Sequence, residues 1–183
     1  EVADMQQRLR AAMFYMSSRI REAGCNPAQT TGVGKPRIVT SDADKINFTT
    51  DITGASDGNA DGDTNDSYEN VTYSLYTSDG IQKLGVKSTA TATNQPVIEN
   101  VDTLNFVYLD GNGIVTTTLP NIRSVEVAIV VRASREDRDY TNGNEYRNQQ
   151  GDVILGAQND HFRRKILNMR IACRNLGLIV GTL

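Results

Sequence analysis

The first 24 residues, EVADMQQRLRAAMFYMSSRIREAG from Glu1 to Gly24, carry the pattern that decides the fold. Apolar side chains recur there at helical spacing: Val2, Met5, Leu9, Ala12, Met13, Met16, Ile20 and Ala23. On a helix they fall in one stripe about 100° wide. Good helix formers dominate the stretch, and Gly24 followed by Pro27 supplies a stop. The pattern predicts one amphipathic helix over residues 1–24.

The remainder, residues 25–183, consists of short apolar and polar alternations separated by turn residues. The strongest alternation is RSVEVAIVVRA over Arg123–Ala133, whose odd-numbered apolar residues share one face. Turns such as Ser78-Asp79-Gly80 join neighbouring runs as hairpins, which favours antiparallel pairing. After Pro96 the sequence suggests a helical turn. We therefore expect an α+β fold, with one long N-terminal helix packed on a mainly antiparallel β-sheet.

Composition narrows the classes of function. The chain has 183 residues and a net charge of −3, which is too small to indicate a nucleic-acid or membrane-surface partner. Hydrophobic residues make up only 38%, so much of the length is expected to be surface loop. Two polar segments fit that expectation, 51–70 and 134–160.

The first polar segment, DITGASDGNADGDTNDSYEN over Asp51–Asn70, contains the opening of a calcium-loop pattern. Asp57, Asn59 and Asp61 alternate and Gly62 follows, which is the spacing D-x-[DN]-x-[DN]-G. Alternate short oxygen side chains converge on one side of a tight turn, and the glycine permits the bend. This spacing favours a structural Ca²⁺ site.

The end of that pattern departs from an EF-hand. Asp63 is the next expected ligand, but Tyr68 stands where a closing acid belongs, so Asp66 or Glu69 must supply the last carboxylate. The flanks do not favour the two helices of an EF-hand. The alternative is a solvated acidic loop without an ion. The expected ligand set is Asp57, Asn59, Asp61 and Asp63, with Asp66 and Glu69 as candidates for closure.

Two cysteines, Cys25 and Cys173, permit one disulfide bond. An oxidising compartment favours it, and closing so long a loop contributes about 4–5 kcal/mol in the chain-entropy model. Cys173 lies on the apolar face of the last predicted strand, so we expect it to meet Cys25 at the end of the helix. The alternative is two unrelated buried thiols.

Patterns for catalysis are missing from the sequence. His161 is the only histidine, and neither a G-x-S-x-G elbow nor a phosphate-binding glycine loop occurs. Basic residues in FRRKILNMRIACRN, Phe162–Asn175, suggest either phosphate binding or the charged solvent face of an edge strand. We favour the edge strand and expect neither an enzyme nor a nucleic-acid-binding protein.

Four segments together resemble a known family. EVADMQQRLRAAMFYMSSRIREAGCNP resembles the helix that follows the membrane anchor in PilW-type minor pilins of type IV pili. ENVDTLNFVYLDGNG and RSVEVAIVVRAS resemble the central strands of that family, and FRRKILNMRIACRNLGL resembles its arginine-rich closing strand. The J-type minor pseudopilins of type II secretion share the same architecture. The resemblance covers somewhat under half of the chain.

The resemblance implies a precursor whose leader is cleaved by a prepilin peptidase, followed by an apolar helix that anchors the subunit in the inner membrane. Because the chain begins inside a helix without a methionine, we expect that anchoring segment to precede Glu1. The implied location is periplasmic before assembly and on the pilus or cell surface afterwards. The implied partners are other minor and major pilins.

The expected function is that of a minor pilin subunit, non-enzymatic, that helps initiate or cap type IV pilus assembly. Phe14 and Tyr15 lie off the apolar stripe and are candidates for subunit contact. Two alternatives stay open at this point. One is a minor pseudopilin of a secretion system, and the other is a calcium-dependent adhesive module at the filament tip.

Overall fold

The computed structural model describes residues 2–54 and 58–178. Its first element is helix α1, Val2–Arg21, which confirms the predicted amphipathic helix. The residues it buries are Met5, Leu9, Ala12, Met13, Met16, Ser17 and Ile20, so the stripe is the core-facing side. Gly24 has a positive φ of 79° and donates its N–H to the carbonyl of Thr49, which turns the chain away from the helix axis.

A five-stranded antiparallel sheet follows, in the order β1-β2-β3-β4-β5. Its strands are β1 Ile38–Ser41, β2 Lys45–Thr49, β3 Asn70–Ser78, β4 Ile81–Ser88 and β5 Gln95–Glu99. Asp79 and Gly80 both have positive φ and form the predicted hairpin turn between β3 and β4. Spatial neighbours are also neighbours in the chain, so this sheet is a meander.

A second sheet contains three antiparallel strands in the order β10-β7-β6. They are β6 Val101–Leu109, β7 Ser124–Arg132 and β10 Arg164–Ala172. The odd-numbered apolar face of β7 joins the core with α1, as the alternation predicted. Its even-numbered residues from Ser124 to Val130 are also buried, because the segment 133–163 covers the outer face. That segment includes a short hairpin of β8 Tyr146–Arg147 and β9 Val153–Leu155.

One hydrophobic core unites the helix with both sheets. Met13 and Met16 of α1 are fully buried, as are Phe48 and Tyr73 of the first sheet and Val127 of the second. The helix contacts β5, β7 and β10, so its stripe lies across both sheets. The sheets also meet directly, since the Tyr108 hydroxyl donates to the backbone carbonyls of Asp42 and Lys45 at 3.0 and 3.2 Å.

The segment after Pro96 corrects one prediction. Instead of a helical turn it is the edge strand β5, paired with β4 from Lys83–Glu99 to Val86–Gln95. Proline cannot donate a ladder hydrogen bond, so it is tolerated in a sheet on an edge strand. The register shift between Leu84 and Gly85 lies beside Pro96 and accommodates it.

The predicted disulfide is absent, since Cys25 and Cys173 are both free thiols. Burial raises the pKa of Cys173 to about 12, in the core beside Tyr108. Cys25 lies instead near Glu22 and Asp51. Partial burial raises the pKa of its thiol, and the negative charges of these two residues raise it further. The two sulfurs thus have different surroundings at the end of the helix.

A side-chain amide makes the connection that the disulfide was expected to make. Asn175, just after β10, donates to the carbonyls of Arg21 and Glu22, each at 3.3 Å. Arg21 is the last residue of the helix and Glu22 follows it, where carbonyls lack partners within the helix itself; the Glu22 carbonyl also accepts the N–H of Cys25 at 2.8 Å. Leu176 packs so closely that a Cβ on Gly24 would lie 2.5 Å from its Cδ2 atom.

Basic residues in and next to β10 divide into two groups. Arg170 is exposed on this edge strand, as expected, and Arg163 and Arg174 on either side of it are exposed too. Arg164 is different, with only 2% of its side chain exposed between the carboxylates of Asp102 and Asp160. Its hydrogen bonds hold the pKa of Asp160 below the usual range. Arg164 therefore fastens the segment 134–160 to the second sheet.

No helix among the described residues combines the length and apolar content needed to cross a membrane.

The helix stripe gives a direct stability prediction. Met13→Ala removes a fully buried side chain from the shared core and should lower the free energy of unfolding by about 2–5 kcal/mol. Phe14→Ala, at the adjacent exposed position, should change it by no more than about 0.5 kcal/mol. Urea unfolding followed by circular dichroism measures both. Equal effects of the two substitutions would contradict the assignment of the buried face.

Candidate functional site

The acidic loop, residues 51–70, connects β2 to β3 at the end of the helix. Its two ends are held together because Thr50 donates its backbone N–H to the carbonyl of Glu69 at 2.9 Å. Three further contacts fix the loop from outside. Arg19 of α1 donates to the carbonyl of Tyr68 at 2.7 Å, Thr30 donates to Gly62 at 2.7 Å, and the Thr89 hydroxyl donates to Asp66.

Glu69 is fully buried and organises the inside of the acidic loop. Its Oε1 atom accepts hydrogen bonds from the backbone N–H groups of Ile52 and Thr53, at 2.7 and 2.9 Å, and from the Thr53 hydroxyl. Its Oε2 atom accepts from the N–H of Asp66 at 3.2 Å. Both oxygens of this predicted calcium ligand are thus engaged by the protein, and Glu69 acts as the scaffold of the loop.

Three other predicted ligands do come together. One carboxylate oxygen from each of Asp61, Asp63 and Asp66 lies within 4.8 Å of the other two. We call these three residues the acidic cluster. Asp61 is exposed and the other two are half-buried. The Asp63 carboxylate accepts from the backbone and side-chain amides of Asn65, at 2.9 and 2.8 Å, which orients it.

Two predicted ligands remain, Asp57 and Asn59, and the structure describes only the second of them. Asp57 lies outside the described residues. Asn59 is exposed, and its backbone carbonyl lies against Gly54, where an added Cβ would be 2.3 Å from that oxygen. Gly54 therefore allows the two arms of the loop to approach closely. Asn59 as a ligand stays a prediction.

Asp51 is a member of this site that the sequence pattern did not identify. Its side chain is fully buried, with Oδ1 accepting from the N–H of Asp61 at 3.1 Å. Its Oδ2 atom has no hydrogen-bond partner among the described residues, and the same is true of Oδ2 of Asp66. Burial raises the pKa of both carboxyls, and neighbouring acids including Glu69 raise it further. Asp51 comes two residues after the end of β2, and the intervening Thr50 is bonded to the backbone of Glu69. This position just after a strand is the one sequence signal for its burial.

A second candidate surface lies on α1. Phe14 is 71% exposed and Tyr15 is 46% exposed, as expected from their place off the stripe. Tyr15 borders an open groove of about 620 Å³ between the helix and the edge of the first sheet. Arg8 and Ala11 line its helix side, and residues of β4 and β5 line the other. Arg8, Gln95 and Glu99 are the polar side chains of its lining, which is otherwise mainly apolar.

The second polar segment, residues 134–160, is fixed by contacts with neighbouring parts of the chain. His161 Nδ1 lies 2.7 Å from the carbonyl of Tyr140, and Arg163 binds Asp137 while stacking on the Tyr140 ring. Gln150 donates to the buried carboxylate of Glu126 at 2.7 Å. These contacts give His161 a structural partner, the backbone of Tyr140.

The fold resembles a solved structure, the type IV-like pilin from Thermus thermophilus. The TM-score is 0.59 at 14% sequence identity, over 94% of this chain and 98% of that chain. No protein-family model and no curated protein sequence matches. The structural likeness confirms the predicted α+β, pilin-like fold, with one N-terminal helix packed on antiparallel sheets. At this identity it extends to the fold alone, and the minor-pilin subtype stays a prediction.

The scaffold role of Glu69 predicts a specific loss of stability. Glu69→Gln replaces one acceptor oxygen by a donor that faces backbone N–H groups, and should cost about 1–3 kcal/mol. The matched control is Glu145→Gln, which alters an exposed ion pair with Arg147 and should cost less than about 1 kcal/mol. Urea unfolding compares the two variants. A Glu69→Gln protein as stable as the control would show that these hydrogen bonds do not hold the loop.

Proposed function

We propose that the chain is a non-enzymatic subunit of a type IV pilus, a minor pilin that helps initiate or cap the filament. Three observations support this proposal. The fold is pilin-like, and four segments of the sequence resemble PilW-type minor pilins in the same order. The observation that carries the proposal is the exposed aromatic pair on α1, Phe14 and Tyr15.

Exposed aromatic rings on a helix can anchor the packing of a second helix. The apolar stripe of α1 is already satisfied by the sheets, so Phe14 and Tyr15 are not needed for the fold. A phenylalanine or tyrosine buries 150–250 Å² when covered, which makes it an effective anchor in an interface. The proposed partners are other minor and major pilins, whose helices would cover this pair.

The proposed location follows from the same assignment. A pilin subunit resides in the periplasm, anchored in the inner membrane, before it enters the filament at the cell surface. Anchoring through a segment upstream of Glu1 is part of this proposal. The adhesive-tip and pseudopilin alternatives share the fold, and the experiment below separates them by its readouts.

The aromatic pair can be tested in the native host with the full-length precursor. Phe14→Ser and Tyr15→Ser should reduce the number of pili per cell at least several-fold, because they remove aromatic anchors that lie outside the buried stripe of α1. Val33→Ser is the matched control, since Val33 is 86% exposed but lies outside the helix. It should leave piliation unchanged. Immunoblots should show equal subunit levels in all strains.

Other results would assign a different role. Unchanged piliation in both helix variants would contradict the subunit contact. Normal piliation with loss of a secreted protein would instead indicate the pseudopilin alternative. Normal piliation with loss of surface attachment would indicate an adhesive module.

A further inference from the structure

The acidic cluster has the dimensions of a single-ion site. Calcium binds protein oxygens at 2.3–2.6 Å, so two oxygens on one ion lie at most about 5 Å apart. The mutual distances among Asp61, Asp63 and Asp66 are within 4.8 Å, so one ion can reach all three. Exposed carboxylates often gather without an ion, and this spacing alone does not establish a site.

The buried carboxylate of Asp51 is an independent indication of a missing positive charge. Asp51 is fully buried, and only its Oδ1 atom is engaged, by the backbone of Asp61 and Gly62. Its Oδ2 atom has no hydrogen-bond partner among the described residues. A buried carboxylate is costly unless a charge or a full set of hydrogen bonds compensates it. Asp51 also interacts electrostatically with Asp61, Asp66 and Glu69, so it faces the cluster.

The protein supplies no counter-charge of its own in the part of the chain that the structure describes. None of the ion pairs formed there includes Asp51, Glu69 or a member of the acidic cluster. The adjacent cation, Arg19, is paired with Glu22 and with the carbonyl of Tyr68. Five acidic side chains are therefore collected at the end of a helix, where the helix dipole is also negative.

The donor chemistry selects the kind of ion. All candidate donors are oxygens, whereas zinc sites are built mainly from nitrogen and sulfur ligands, so the cluster does not favour zinc. Magnesium usually keeps several waters and takes one or two carboxylates, whereas calcium accepts more carboxylates in a less regular geometry. A cluster of three carboxylates therefore fits calcium better than magnesium.

We propose that Asp61, Asp63 and Asp66 bind one Ca²⁺, whose charge compensates the buried carboxylate of Asp51. The ion fixes the acidic loop, and with it the contacts that the loop makes to Arg19, Thr30 and Thr89. Calcium binding thereby stabilises the junction between the end of α1 and the β2–β3 connection. This site is independent of the proposed pilus role, so either proposal can fail without the other.

Binding is measured on metal-free protein by isothermal titration calorimetry with CaCl₂ and, separately, MgCl₂. We expect one Ca²⁺ per chain with a Kd on the order of 10⁻⁴–10⁻³ M, in the range of extracellular modules. The melting temperature should rise with CaCl₂ relative to chelator, because the ion binds the folded state. Terbium luminescence sensitised by Tyr68, which lies in the same loop, should appear and be displaced by CaCl₂.

Isosteric variants identify the ligands. Asp61→Asn and Asp66→Asn should each weaken Ca²⁺ binding at least tenfold. In chelator they should melt no lower than the wild type, because each removes one repelling charge. Asp139→Asn is the matched control, an exposed aspartate in the second polar segment, and should bind Ca²⁺ like the wild type. Asp63→Asn provides a further variant if one of the others does not fold.

Three results would overturn the proposal. The first is no heat and no melting shift at millimolar CaCl₂. The second is an equal response to MgCl₂, or to NaCl at matched ionic strength, which would indicate general screening. The third is wild-type Ca²⁺ affinity in both Asp61→Asn and Asp66→Asn.

Discussion

Burial of one apolar helix stripe between two sheets is the constraint on which the rest of this structure depends. Met13, Met16 and Ile20 are inaccessible to solvent, and the helix that carries them contacts β5 of the first sheet and β7 and β10 of the second. The two sheets touch directly mainly at the β6 edge, where Tyr108 bonds to the turn between β1 and β2. Without the helix, the inner faces of β7 and β10 would be open to water. The helix is thus the centre of the core.

The same constraint determines where the charged features lie. Gly24 bonds to Thr49, so the end of the helix is adjacent to the end of β2. The β2–β3 connection must start there, and its acidic residues gather beside the last helical turn. Asn175 brings the end of β10 to the same place. This one corner of the molecule therefore joins the helix, both sheets and the acidic loop.

The helix leaves its other side available. Its stripe satisfies the core, and the exposed Phe14 and Tyr15 contribute little to it. A fold held from one face of a helix can present the opposite face to a partner without loss of stability. The separation of a core-facing side from an exposed side of α1 is the physical basis for the proposed subunit contact. The exposed side is distinct from the proposed ion site at the helix end.

Features with local periodicity could be predicted from the sequence. The stripe of α1 and the alternation of β7 recur over enough residues to fix both the element and its buried face. Asp61 and Asp63 are indicated by a local spacing pattern, with Asp66 as one of two candidates for closing it, and their role as ligands stays a prediction. Phe14 and Tyr15 follow from the stripe by exclusion.

Features that depend on strand register could not be predicted in this way. Asp51 is buried, and Glu69 binds backbone N–H groups, only because β2 and β3 pair in one register that places them together. Arg164 lies inside an ion-pair network because the segment 134–160 folds over the second sheet. The end of α1 is linked to the end of β10 by hydrogen bonds from Asn175, whereas the two cysteines of the sequence favoured a disulfide there. The segment after Pro96 suggested a helical turn, but pairing with β4 makes it the edge strand of a sheet.

Native-state hydrogen exchange tests the central claim about the helix most directly. If the stripe of α1 is the centre of the shared core, amides from Leu9 to Ile20 exchange only through global unfolding, with the same opening free energy as those of β7. If the helix instead docks on a sheet body that is stable alone, its amides exchange with a clearly lower free energy while those of β7 remain protected. That result would contradict the account.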